Sequence, residues 1–253
     1  MPLTLFAALL LSIFLTSVLS GVFGMAGGML LMIVMLAVMP LPVAMIVHSS
    51  VQMVSNLWRC FLWRKHIMWT ALPPYGAGMA IGFALAAMVS FVPDKAMVLI
   101  LLGSLPVLAF LLRRTVTISI THQYQAGGAA IILTFFHITG GVIGPLLDTL
   151  YNNAPFTRQQ IVSTKAATQG VMHILRLVYY GLIIPGSLSP TWPAEIPPSY
   201  MLAFVIAAIA GTSAAALILH RMNDTGFKTA SHYIIACLSA ACLAQGLSMI
   251  LMR

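Results

Sequence analysis

His48-Ser-Ser-Val-Gln52-Met-Val-Ser-Asn56-Leu-Trp-Arg59 and, 117 residues further on, Lys165-Ala-Ala-Thr-Gln169-Gly-Val-Met-His173-Ile-Leu-Arg176 carry polar side chains at the same spacing. At about 100° per residue, offsets of 0, 4, 8 and 11 fall at roughly 0°, 40°, 80° and 20° around a helix axis. All four polar residues of each stretch therefore share one helix face. The segments around them are apolar, so the pattern predicts two helices that each carry a cationic, amide-lined stripe through a bilayer. Ionisable side chains at membrane depth normally line a pathway or a cavity.

Composition agrees with a membrane chain. Of the 253 residues, 60% are hydrophobic and only 6% charged, with a mean hydropathy of +1.01, whereas soluble domains carry roughly 25% charged residues. The length suffices for about 8 to 10 crossings of about 20 residues, leaving no room for an extramembrane domain. We expect a single transmembrane transport domain over 1–253. The net charge of +8 comes largely from bases at helix ends, where they set topology. Basic loops this short, without interleaved aromatics, give no nucleic-acid signature. Cys60, Cys237 and Cys242 are odd in number and lie in or beside apolar segments, which reads as packing. Leu3 to Leu19 has no basic residue before it and no clear cleavage site after it, and reads as a mature helix.

Apolar runs fall at about 3–20, 29–39, 43–63, 70–91 and 96–112, then at 126–139, 145–151, 159–184, 200–219 and 230–252. The order long, short, long, long, long occurs twice, predicting internal repeats at about 1–114 and 122–253. Gly21-Val22-Phe23-Gly24 matches Gly141-Val142-Ile143-Gly144, and Pro40 and Pro155 close the two short runs. Each short run gives roughly 15 Å of helix, half the hydrocarbon thickness of about 30 Å. Paired half-helices preceded by glycine turns are the sequence pointer to a transporter's midplane site.

Arg64-Lys65-His66, Arg113-Arg114 and His220-Arg221 with Lys228 read as cytoplasmic, and the loop from Ile184 to Ser199, without Lys or Arg, as external. The predicted fold is an all-α polytopic membrane protein, a duplicated inverted 5+5 helix repeat with two broken or half helices and both termini outside. The alternative is 4+4 helices with re-entrant hairpins.

Gln52 and Gln169 fall near the middle of their helices. In an inverted frame Arg59 and Lys165 lie on the cytoplasmic side of that plane, with His48 and Arg176 on the outer side. Asn56 and His173 extend the polar wall. The glycine turns add a second source of anion affinity through free N–H groups at half-helix N-termini, with Gly24, Gly27, Gly28, Gly141 and Gly144 as candidates for close backbone approach. Tight helix crossing is the competing role for these glycines, and snorkelling to the interface is the competing role for the arginines. Asp148, the one acid inside an apolar run, can cap the second half-helix, pair with Lys165 or couple transport to protons.

No catalytic site is expected: no carboxylate accompanies His48, Ser49 and Ser50 in sequence. No metal is expected either, since no His or Cys pair has ligand spacing, and no cofactor is implied. Gly76, Gly78 and Gly82 read as helix packing, with a loose counterpart at Gly211.

The order of a Gly-rich turn, a short apolar helix, a proline, a helix bearing His48-Ser49-Ser50 and Arg59, and a basic Arg64-Lys65 loop resembles the sulfite exporter TauE/SafE family. Gly21-Val22-Phe23-Gly24-Met25-Ala26-Gly27-Gly28 is similar to that family's first glycine motif and Gly140-Gly141-Val142-Ile143-Gly144 to its second. The chain differs at Met25-Ala26 and at Pro145-Leu146-Leu147-Asp148, where more glycine is usual. The resemblance implies a multi-pass permease of the cell inner (plasma) membrane that exports sulfite, an organosulfonate such as sulfoacetate, or a related anion. The expected partners are a small anionic substrate and the lipid bilayer, with room for a homodimer and none for nucleic acid. An alternating-access mechanism is expected. An anion channel and a membrane assembly or scaffold protein are the alternatives.

Overall fold

Among the described residues, glycine and proline punctuate the apolar runs into ten α-helices. The computed structural model describes residues 1–23, 26–112, 117–140, 143–184, 196–219 and 224–252, and among these there is no strand. The helices are α1 (Leu3–Phe23), α2 (Ala26–Val38), α3 (Leu41–Leu62), α4 (Leu72–Val89), α5 (Lys95–Leu112), α6 (Gln123–Gly140), α7 (Gly144–Asn152), α8 (Arg158–Val178), α9 (Pro198–Leu219) and α10 (Asp224–Leu251). Five of them are long and apolar enough to cross a membrane: α1, α4 with its preceding turn, α5, α9 and the C-terminal part of α10.

The short runs become α2, of 13 residues, and α7, of 9. Proline bounds both, with Pro40 capping the start of α3 and Pro155 just beyond α7. Expected as turn residues, Gly27 and Gly28 instead lie inside the first turn of α2. Their small size serves contact: a Cβ on Gly27 would stand 1.9 Å from the Thr16 carbonyl oxygen of α1. Gly24 and Gly141 lie outside the described residues, as do the basic residues 113–114 and 220–221. Gly144 opens α7, and Pro145 follows it in the first turn, where a missing N–H costs nothing.

Close approaches fix the relative direction of the packed pairs. Gly211 of α9 meets Phe14 and Ser17 of α1, while Gly21 of α1 meets Thr212 and Ala215 of α9. Both sequences ascend together, so α1 and α9 run parallel. Gly78 and Gly82 of α4 meet Gly127 and Ile131 of α6 in the same ascending order, whereas Gly76 meets nothing. In contrast, Gly103 of α5 meets Ser239 and Leu243 of α10, while Gly246 meets Ala96 and Ile100. That order is antiparallel. α3 and α8 are antiparallel too: Ser49 bonds Arg176, Leu57 abuts Gly170, and the amide beyond α3 at Met68 donates to Thr164.

Exchanging the first five helices for the last five maps this pairing onto itself: α1 with α9 becomes α6 with α4, and α3–α8 and α5–α10 each map onto themselves. Helices at equivalent positions are antiparallel in the α3–α8 and α5–α10 pairs.

Two apolar clusters flank the α3–α8 pair, each enclosing a half-helix. Met29, Leu31, Met32 and Met35 of α2 sit in one, and Leu146, Leu147, Leu150 and Tyr151 of α7 in the other. Cys60, Cys237 and Cys242 are free thiols. Thr157-Arg-Gln-Gln160 is a further sequence signal: Thr157 and Gln160 form a reciprocal capping box that starts α8.

Candidate functional site

α3 and α8 are as long as the membrane-spanning helices, yet each turns a polar face into the protein. None of His48, Gln52, Asn56, Arg59, Lys165, Gln169, His173 and Arg176 is more than 8% exposed. Neither arginine snorkels to the surface. Burying so many polar groups is costly unless they find partners, and which of them do so divides the stripe into distinct parts.

At one end Arg176 of α8 is fully buried. Its Nε donates to Ser49 Oγ at 2.6 Å, its Nη2 to His48 Nδ1 at 2.6 Å and to His173 Nδ1 at 3.3 Å, and its Nη1 to the His137 carbonyl at 3.4 Å. A guanidinium can only donate, so Nδ1 of His48 must be the bare nitrogen. The ring proton therefore sits on Nε2, which donates to the Gly28 carbonyl of α2 at 2.9 Å. This chain ties α8, α3 and α2 together. His137 of α6 adds a third imidazole, its ring centroid 4.6 Å from that of His173. Among the described residues no cluster of His, Cys, Asp or Glu can hold a metal ion.

At the middle of α3, Gln52 reaches the half-helix. A Cβ on Gly28 would lie 3.1 Å from Gln52 Nε2, so a side chain at Gly28 would crowd the amide. Gln169 is buried on α8. Gly27, by contrast, is turned toward α1, in the tight-crossing role.

Lys165 occupies in α8 the place that His48 holds in α3. It too reaches its half-helix, forming an ion pair with Asp148 of α7. The two equivalent positions thus brace the two half-helices, one through a carbonyl and one through a carboxylate. Lys165 has a partner for its charge. Nearby, Tyr151 of α7 shares a 3.0 Å hydrogen bond with Thr168.

Arg59 is the other buried arginine among the described residues, equivalent by position to Arg176. Whereas Arg176 spreads its donors over three side chains, Arg59 Nε and Nη2 are buried without a hydrogen-bond partner. One turn earlier, Asn56 donates from Nδ2 to the Gln52 carbonyl at 2.8 Å, while its Oδ1 is buried and unpartnered. At α7 the N-cap residue Ile143 offers no side-chain cap.

Reading the sequence singled out the eight stripe residues but missed Ser49 and His137 as members of the Arg176 network. A serine in an apolar helix and a single histidine on a different helix carry no periodic signal of their own.

Residues 9–242 match the family model described as Sulfite exporter TauE/SafE. Comparison with curated proteins and with solved structures finds no match.

Proposed function

Because the chain belongs to the sulfite exporter TauE/SafE family, and is a multi-pass integral membrane protein, we propose that it exports a small sulfur-containing anion by alternating access. The anion is sulfite or an organosulfonate such as sulfoacetate, and the membrane is the cell's inner membrane. The observation that carries this reading is Arg59, a buried guanidinium whose Nε and Nη2 await acceptors. An unmade buried hydrogen bond costs about 1–3 kcal/mol. An oxyanion entering the site removes that cost and adds charge-assisted bonds.

Gln52, Asn56 and Gln169 supply the polar wall, with His173 further along α8. Arg59 attracts the anion from the cytoplasmic approach, and Arg176 anchors the outer end. The half-helices α2 and α7, braced by His48 and Lys165, present Gly28 and Gly144 toward the anion at their N-terminal ends. The inverted five-plus-five arrangement would let the two halves rock about the α3–α8 pair and expose the site to each side in turn. Proton coupling would run through Asp148, since protonating its carboxylate ends the pair with Lys165.

A thermal-shift screen of the purified chain against sulfite, sulfate, thiosulfate, taurine and sulfoacetate tests the reading, because a ligand of the folded state raises the midpoint. Selective stabilisation by one of them, lost in the Gln52→Leu/Gln169→Leu variant, is expected. No selective shift by any would overturn it. In proteoliposomes a carrier gives saturable flux, whereas a channel gives current without saturation or counter-transport. An assembly protein would keep its function in the double leucine variant.

A further inference from the structure

Asn56 and Arg59 form an unpartnered donor–acceptor combination that says more about the ligand than its charge. The two residues lie three apart on α3, about 60° apart around the axis, and both are more than nine-tenths buried, at 3% and 4% exposure. The orientation of the Asn56 amide is fixed by its own helix. The group facing the Gln52 carbonyl at 2.8 Å has to be the NH2, because a carbonyl oxygen accepts and cannot donate. The amide oxygen therefore points elsewhere, and it is left without a donor. Arg59 contributes the opposite deficiency, with Nε and Nη2 lacking acceptors.

A bare oxyanion would satisfy only the arginine. The Asn56 oxygen would remain without a donor. Both deficiencies are met at once by a molecule that offers anionic oxygens to Arg59 and an O–H or N–H to Asn56.

We infer that Asn56 Oδ1 and Arg59 together form a subsite for a sulfur oxyanion that carries its own hydrogen-bond donor, a hydroxyl or an acid O–H, in preference to one that carries none. This rests on the transport reading for the anion and adds the requirement for the donor. Discrimination of this kind is strong in buried sites, since a ligand lacking the donor leaves the acceptor unpaired. The position equivalent to Asn56 in the second half is His173, which is occupied by Arg176, so the subsite belongs to one half.

The test uses two probes that differ by one hydroxyl, ethanesulfonate and 2-hydroxyethanesulfonate, titrated into the purified full-length protein by calorimetry. The hydroxylated probe should bind about tenfold tighter. Asn56→Ala should bring the two affinities together by weakening the hydroxylated probe alone. Alanine favours the helix, and the bond from Asn56 to Gln52 lies within α3, so the variant should fold. Arg59→Lys should weaken both probes alike. Equal binding of the two probes by the native chain would overturn the inference while leaving the transport reading intact. Binding of neither, with no effect of sulfite on the midpoint, would count against the transport reading itself. Tighter binding of the hydroxylated probe that persists in Asn56→Ala would place the acceptor elsewhere and overturn the assignment to Asn56.

Discussion

Arg176 Nε donates to Ser49 Oγ at 2.6 Å across the antiparallel α3–α8 pair. The bond fixes the register of the two polar helices, and through Nη2 the same guanidinium holds His48 and His173. One planar fork thus satisfies three side chains on two helices, a geometry an ammonium cannot reproduce.

Arg176→Lys should therefore behave as a disruptive change. It keeps the charge but cannot point donors along three fixed directions, and a loss of about 1–3 kcal/mol is expected. Ser49→Ala should cost about 1.5–3 kcal/mol, the range for a hydrogen bond to a charged group. Thermal unfolding of the detergent-purified protein measures both. Native-like stability in Arg176→Lys would mean that the fork geometry is immaterial.

Lys165 and Asp148 should couple strongly. Lys165 is 7% and Asp148 24% exposed at the side chain, and removing one member of a buried pair typically costs about 3–5 kcal/mol. The partial exposure of Asp148 should bring the cost toward the lower end. Lys165→Met and Asp148→Asn should each destabilise the chain, and the double variant should lose less than the sum. Additive losses would show that the pair is not an energetic unit. If Asp148 is also the proton site, export by Asp148→Asn in proteoliposomes should no longer follow an imposed pH gradient.

Glycine substitutions should separate crossing from mere presence. Gly27→Ala drives a methyl into the Thr16 carbonyl at 1.9 Å and the Ser20 amide at 2.5 Å, both backbone, and should be severely destabilising. Gly76→Ala meets nothing within 4 Å and should stabilise α4 by up to about 1 kcal/mol through helix propensity. Comparable midpoints for the two variants would refute the α1–α2 crossing.

That contrast also marks where the sequence stops being legible. Gly27 and Gly28 read as turn residues because glycine usually breaks a helix, yet a neighbour pressed against the backbone requires glycine inside one. The co-facing stripe was readable because a 3.6-residue period repeats over many residues and again in the second half. Partnership was not: the equivalent Arg59 and Arg176 look alike in sequence, and only the fold brings Ser49 and His48 to one of them. Pairing with Lys165 was one of the roles open to Asp148 in advance, as the one acid in an apolar run, beside capping and proton coupling. His137 had no such elimination to help it.

Arg59→Met should make the empty protein more stable and the loaded protein inactive. With Nε and Nη2 buried and unpartnered, the native guanidinium bears a desolvation cost that methionine, of similar length and apolar, does not. Replacing buried charge with apolar groups of similar volume is often neutral or stabilising by about 1–4 kcal/mol. The gain should appear as a higher unfolding midpoint without ligand, and the midpoint should cease to rise when sulfite or an organosulfonate is added. Stability is then traded for binding, as expected where a site is held in readiness for a charge that the protein does not itself supply. A variant that is less stable than the native chain, and that still responds to the anion, would show that Arg59 is a structural residue and that the anion is held elsewhere.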